Sequence, residues 1–190
     1  MTQVVCGFTA RVTNVFQKIG CVAFEVRNGA LVLGDSTELM FEKGDRFQHC
    51  QGVHSLQINR RPVKVVVAGE RCAVLVEGCC DELPPNNAEV LQVGGVQASV
   101  GGWGTVFYVY EGKGVIAVEL EDGALCQGDW IIIHGDDGFR FEQVAASIEV
   151  DHVQQEAVVA GQKCGILIDV DPNNGFPIKG DIVTVVSIKK

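Results

Sequence analysis

Asn28–Asp35 reads NGALVLGD, and Asp122–Asp129 reads DGALCQGD. The two phrases share an Ala-Leu pair between turn residues and stand 94 positions apart, so that Gly29 answers to Gly123. The same offset pairs Gly20 with Gly114, Ala23 with Ala117 and Glu25 with Glu119, and then Gly44, Arg46 and Phe47 with Gly138, Arg140 and Phe141. Beyond these the offset becomes 92: Ser55 meets Ser147, Ala68, Gly69 and Cys72 meet Ala160, Gly161 and Cys164, and Glu89 meets Asp181. Self-similarity over nearly a whole chain reads as an internal duplication. A repeat of roughly ninety residues is too long for a solenoid unit and suits a small domain with its own core. Two domains are therefore expected, residues 1–97 and 98–190, meeting in the glycine-rich stretch QVGGVQASVGGWG, Gln92–Gly104. Those glycines suit either a hinge or a tight passage between domains.

Each copy reads as all-β. Runs rich in Val, Ile and Phe, such as CVAFEV and ELMFE in the first copy and GVIAVEL and DWIIIHG in the second, are short and often alternate apolar with polar residues. Turn signals (NG, KGD, DDG, PNNG) separate them. Many short strands with regular turns indicate barrels, whose closure removes exposed sheet edges. In the quoted phrase, Asn28-Gly29 and Asp122-Gly123 supply the positive-φ positions of a tight hairpin. Leu31 and Leu125 then point into the core. Gly34-Asp35 and Gly128-Asp129 make a second turn, in which the carboxylate accepts a nearby backbone N–H.

Composition narrows the function. Hydrophobic residues make up 47% of the chain, enough for real cores. No apolar run approaches the ~20 residues of a membrane-spanning helix, so no membrane association is expected. The N-terminal MTQVVCGFTARV has no signal-peptide pattern, which points to the cytoplasm. Most of the 8 cysteines, Cys21, Cys72 and Cys164 among them, sit in apolar strand-like runs and read as reduced, buried thiols. The net charge of −9 is unevenly spread: residues 1–95 carry 9 Lys/Arg against 10 Asp/Glu, and residues 96–190 carry 6 against 14. An acidic surface repels phosphate, so direct nucleic-acid contact is open only to the first domain.

The second copy's GKGVIAVELEDGALCQGDWIIIHG, ASIEVDH, EAVVAGQKCGILI and KGDIVTVV resemble the second domain of translational GTPases, the barrel that follows the nucleotide-binding domain in elongation factor Tu. IGCVAFEVRNGALVLGD, HSLQI and KVVVAGERCAVLVEG carry the resemblance in the first copy. It implies two tandem Greek-key-type β-barrels of the elongation-factor kind. GTP hydrolysis needs a G-x-x-x-x-G-K-[ST] loop; here Gly112-Lys113 is followed by Gly114, and no catalytic motif is found, so no enzymatic activity and no cofactor are expected. In the family this barrel helps hold the aminoacyl end of transfer RNA, partly through a Glu. The resemblance places that role at Glu149, with Gln57 opposite it in the first copy, and a pocket-lining aromatic at Phe107, with Phe16 as its loose counterpart. Related barrels also occur as accessory domains of peptidases and synthetases.

Other residues offer further chemistry. Asn59-Arg60-Arg61-Pro62 falls in a predicted loop, where Arg60 and Arg61 could grip phosphate or carboxylate, and solvated surface charge is the plainer reading. Trp103 lies in the glycine-rich connector and suits a domain seam or a partner surface, whereas Trp130 begins an apolar strand and reads as core. A metal- or thiol-dependent enzyme or accessory subunit built on Cys50, His54, Cys79 and Cys80 is an alternative, although adjacent Cys79-Cys80 suits one tetrahedral site poorly. The leading expectation is a non-catalytic interaction module, possible partners being a protein or a ribonucleoprotein, engaged through loops and a groove between the barrels. Arg60, Arg61, Trp103, Phe107 and Glu149 are its candidate contacts, and no metal is assigned. A structural or oligomer-assembly role is the remaining alternative.

Overall fold

The computed structural model describes residues 7–34, 36–45, 47–76, 83–169 and 175–188. The described chain is all-β with antiparallel sheets, and it divides into two compact units between Ser99 and Val100. No helix among the described residues is long and apolar enough to cross a membrane.

The first unit contains β1 (Thr9–Phe16), β2 (Cys21–Asn28), β3 (Ala30–Val32), β4 (Glu38–Lys43), β5 (Phe47–Gly52), β6 (Leu56–Ile58), β7 (Arg61–Val63), β8 (Val65–Val67), β9 (Arg71–Leu75) and β10 (Glu89–Gly94). Its main sheet runs β5-β4-β10-β1-β2-β9-β6-β7, and β3 pairs with β8 apart from it. Strand β11 (Ala98–Tyr110) begins two residues before the division and continues into the second unit, which also contains β12 (Val115–Cys126), β13 (Trp130–His134), β14 (Arg140–Val144), β15 (Ile148–Val150), β16 (Val153–Gln154), β17 (Ala157–Val159), β18 (Lys163–Leu167) and β19 (Ile182–Ile188). The second unit's sheet order, β14-β13-β19-β11-β12-β18-β15-β16 with β17 on the far part of β12, repeats the first strand for strand.

Alternation drives each sheet around one core. In β2, Val22, Phe24 and Val26 point inward and are buried, while Cys21, Ala23 and Glu25 between them are half-buried. Phe8, Phe41, Leu31 and Leu39 join them in the first core; Ile116, Leu125, Ile131 and Ile133 fill the second. Each such side chain contributes about 1.5–3 kcal/mol by leaving water. The sheets curl until their ends approach. Gln51 on β5 donates from Nε2 to the Leu75 carbonyl (3.3 Å), and Gln143 on β14 donates to the Leu167 carbonyl (2.8 Å) while accepting from Asp169 N–H (2.9 Å). A side chain thus bridges the gap that ladder hydrogen bonds leave.

The quoted phrase does something other than make a hairpin. Gly29 and Gly123 do have positive φ (74° and 73°), but the chain carries on in the same direction. The strand leaves one partner and takes another: β2 pairs β9 before Gly29, and β3 pairs β8 after it. Likewise β12 pairs β18 before Gly123 and β17 after it. A Cβ at Gly123 would overlap the Gly101 carbonyl oxygen, and one at Gly29 would overlap that of Gly7. Glycine is needed because a second backbone crosses there. Leu31 and Leu125, next in the phrase, are fully buried.

The closing glycine-acid pair is a recurring turn. Asp129 Oδ2 accepts from Cys126 N–H (2.9 Å) while Asp129 N–H donates to the Cys126 carbonyl, with Gly128 at φ 97°. The same closure recurs at Val67–Glu70, Val159–Gln162 and Ile178–Asp181, through Glu70 Oε2, Gln162 Oε1 and Asp181 Oδ2. In the first copy's phrase, however, the residue in Asp129's place is Thr37: its N–H donates to the Gly34 carbonyl and its Oγ1 accepts from Gly34 N–H (2.8 Å). Asp35 lies outside the described residues.

This moves the register of the repeat. The offset drops from 94 to 92 before Thr37, not after Phe47, because β4–β5 pairs Glu38 with Gly52 and β13–β14 pairs Trp130 with Val144. Phe47 therefore occupies the place of Phe139, not Phe141, and the match of Gly44 with Gly138 is accidental; Arg46 lies outside the described residues. Near the end the offset is 93. Ala88 N–H bonds the Pro85 carbonyl as Asp181 N–H bonds that of Ile178, so Asp181 replaces a buried alanine and does not align with Glu89.

Three more expectations change. Gly101, Gly102, Trp103 and Gly104, read as part of a glycine-rich connector, belong to β11. Trp130 is half-buried, and its neighbours Ile131 and Ile133 take the core. Cys72 and Cys164 are buried as read, but Cys21 is half-buried, and Cys50 and Cys126 are exposed.

Candidate functional site

Strand β11 meets β12 with one residue too many: Val106 pairs Val118 and Tyr108 pairs Ala117, leaving Phe107 as a β-bulge. Bulges re-aim side chains. Val106 points into the core and Val109 packs against it, so Phe107, Tyr108 and Tyr110 all face outward. Tyr108 and Tyr110 lie with ring centroids 4.5 Å apart, and both are about half exposed. The first unit has the same bulge at Thr13, between Val12↔Phe24 and Asn14↔Ala23. Phe107 therefore corresponds to Thr13. Phe16 corresponds to Tyr110, since each precedes a single 3-10 turn ended by a left-handed glycine, Gly20 or Gly114.

Two of the outward aromatics, Phe107 and Tyr110, form one wall of a pocket of about 360 Å³ in the second unit. Phe107 and Tyr110 line it on β11, Lys113 on the 3-10 turn, and Lys163, Cys164 and Gly165 on β18. Glu149 on β15 and the turn pair Asp151-His152 form the remaining wall. That turn is a two-residue hairpin between Val150 and Val153, with positive φ at Asp151 (50°) and His152 (65°), the geometry of a type I′ turn. Lys163 Nζ sits 5.0 Å from the centre of the Phe107 ring and 3.5 Å from Glu119 Oε2. It is held by a cation–π contact and an ion pair together. The Glu119–Lys163 pair has its counterpart in Glu25–Arg71 (3.6 Å). Burial raises the Cys164 thiol to about 11, so it stays protonated and unreactive at neutral pH.

Phe107 and Glu149, far apart in sequence, thus meet in one pocket. Trp103 does not join them: it pairs with Asp122 further along β11 and is partly exposed. Arg60 and Arg61 belong to the first unit's own hairpin: the expected loop is only the two residues Asn59-Arg60, and Arg61 and Pro62 lie in β7. Asn59 (φ 50°) and Arg60 (φ 66°) are its two turn residues, and Arg61 opens β7 opposite Ile58. Phe16 lines a separate hollow with Val15 and the 3-10 turn. Tyr110, Lys113, Lys163 and the Asp151-His152 pair were missed as site residues. The bulge that turns Tyr110 outward is invisible in hydrophobic periodicity. The hairpin signal was present in Asp151-His152, at the position of Asn59-Arg60.

The metal- or thiol-based alternative finds little here. Among the described residues no three His, Cys, Asp or Glu side chains are grouped to hold a metal ion. Cys79 and Cys80 lie outside the described residues. Burial, and then the charge of Glu38, raise the Cys50 thiol above its ordinary value, which disfavours the thiolate a nucleophile needs. His49 and Cys50 pair opposite Phe41 and Met40, so they face opposite sides of the sheet.

No family model matches the chain, and no curated protein matches it significantly.

Proposed function

We propose that the chain is a non-catalytic interaction module, made of two elongation-factor-like β-barrels that arose by duplication, and that it docks a protein or ribonucleoprotein partner through the Phe107–Glu149 pocket. The matched strand order and the paired turn hydrogen bonds at offsets of 92 to 94 support the duplication. One observation carries the functional reading: the pocket gathers outward aromatics and charged side chains of both signs on one sheet. Outward aromatics that leave the core suit recognition. The first barrel has Thr13, Ile19 and Gln57 where the second has Phe107, Lys113 and Glu149, so the docking function is assigned to the second.

Cosedimentation with ribosomes and affinity capture, run with the parent chain and a Phe107→Ala/Tyr110→Ala variant, test this. A partner recovered by the parent and lost by the folded variant is the expected result. Equal recovery by both, or turnover of a metabolite by the purified chain, would overturn it.

A further inference from the structure

We infer that the pocket takes the arginine-bearing, basic segment of a protein partner. The inference rests on the docking function just proposed and adds the partner's chemistry.

Charge is the first argument. The second unit, Val100–Ile188, holds 4 Lys/Arg against 14 Asp/Glu, a net of −10, while the remainder of the chain holds 11 against 10. Such a field draws cationic partners and turns away phosphate. Within the pocket the balance has the same sign. Glu119 pairs with Lys163, which leaves two carboxylates, Glu149 and Asp151, against one ammonium, Lys113. Both carboxylates are exposed, and neither has an ion-pair partner among the described residues.

Shape and chemistry are the second argument. The wall already accommodates one cation, the Lys163 ammonium, over the Phe107 ring and against a carboxylate. Tyr110, tilted against Tyr108 and facing the same space as Glu149 and Asp151, offers the same combination unfilled. A planar guanidinium suits it best, because it stacks on an aromatic face while donating to carboxylates in its own plane. Gly165, where the first unit has Ala73, leaves the floor open.

The test uses the full chain and fluorescence anisotropy at low salt. The probes are a fluorescein-labelled ten-residue peptide of alternating Arg and Gly, and a labelled oligouridylate. The decisive variant is E149Q/D151N, which brings in the residue types that the first unit carries as Gln57 and Asn59, so the fold is retained. The control is E121Q/D122N, an equal loss of charge on the same unit outside the pocket. The arginine peptide should bind the parent, weaken roughly 10-fold or more with E149Q/D151N, and weaken less than about 2-fold with the control. Y110A, checked for unchanged tryptophan fluorescence, should weaken it as well. Equal weakening by both double variants, or no binding of the peptide, would overturn the inference. If oligouridylate binds instead and Y110A abolishes that, the docking function stands and the basic segment falls. If neither probe responds to pocket variants, both fall.

Discussion

Replacing Arg60 by glycine should stabilise the first unit. Arg60 occupies the second position of a two-residue hairpin at φ 66°, with Asn59 before it at 50°. A side chain with a Cβ costs about 1–2 kcal/mol in the left-handed region. Asn tolerates that region through its short polar side chain; arginine has no such compensation, and the type I′ turn strongly favours Asn-Gly. Glycine removes the strain but frees the unfolded chain, which costs about 0.5–1 kcal/mol. The net gain for Arg60→Gly therefore lies between about 0 and 1.5 kcal/mol and centres on ~0.75 kcal/mol. For a domain of this size, 1 kcal/mol moves Tm by about 4–8 °C, so a rise of ~3–6 °C is expected. Differential scanning calorimetry of Arg60→Gly, beside its neighbour Arg61→Gly, is the assay. Arg61 opens β7 without a positive φ, and glycine there should lower stability by about 0.5–1 kcal/mol. His152→Gly, the same position in the second unit (φ 65°), should repeat the gain. If Arg60→Gly and Arg61→Gly lower Tm alike, the left-handed turn is not strained and the reasoning fails.

Asp181 is buried. Its pKa is raised, first by desolvation and further by Asp137 and Asp136, against the lowering effect of the Ile178 N–H bond. A carboxyl whose folded pKa lies above its unfolded value (about 3.9) favours the fold most when protonated. Its contribution is complete below the unfolded pKa and fades as pH rises through the folded one; Asp181→Asn should flatten that decline in urea titrations across the weakly acidic range, and an unchanged pH profile would count against it. Gly123→Ala forces a Cβ onto the Gly101 carbonyl at positive φ and should cost at least about 2 kcal/mol; a denaturation midpoint within error of the parent would contradict the crossing described above. Brief alkylation followed by mass spectrometry should label exposed Cys126 and spare buried Cys72 and Cys164, and fast labelling of Cys164 would contradict its burial.

The all-β character, the twofold repeat and the inward Leu31 and Leu125 were legible in the sequence. Each depends on local properties: strand propensity, alternation, and glycine where φ must be positive. The register of the repeat was not legible. Sequence identity aligned Gly34-Asp35 with Gly128-Asp129, but hydrogen-bond closure puts Thr37 in the place of Asp129, because Thr and Asp side chains both accept a backbone N–H and the turn selects geometry over residue type. Nor could alternation reveal that Gly29 and Gly123 bend strands between partners, since only the crossing backbones of Gly7 and Gly101 require it. Resemblance offered Phe107 and Glu149 as lining one pocket. Only the tertiary structure decided that Tyr110, Lys113 and Lys163 join them, because one extra residue in β11 turns the aromatics outward and the curl of the sheet carries β15 and β18 to meet them.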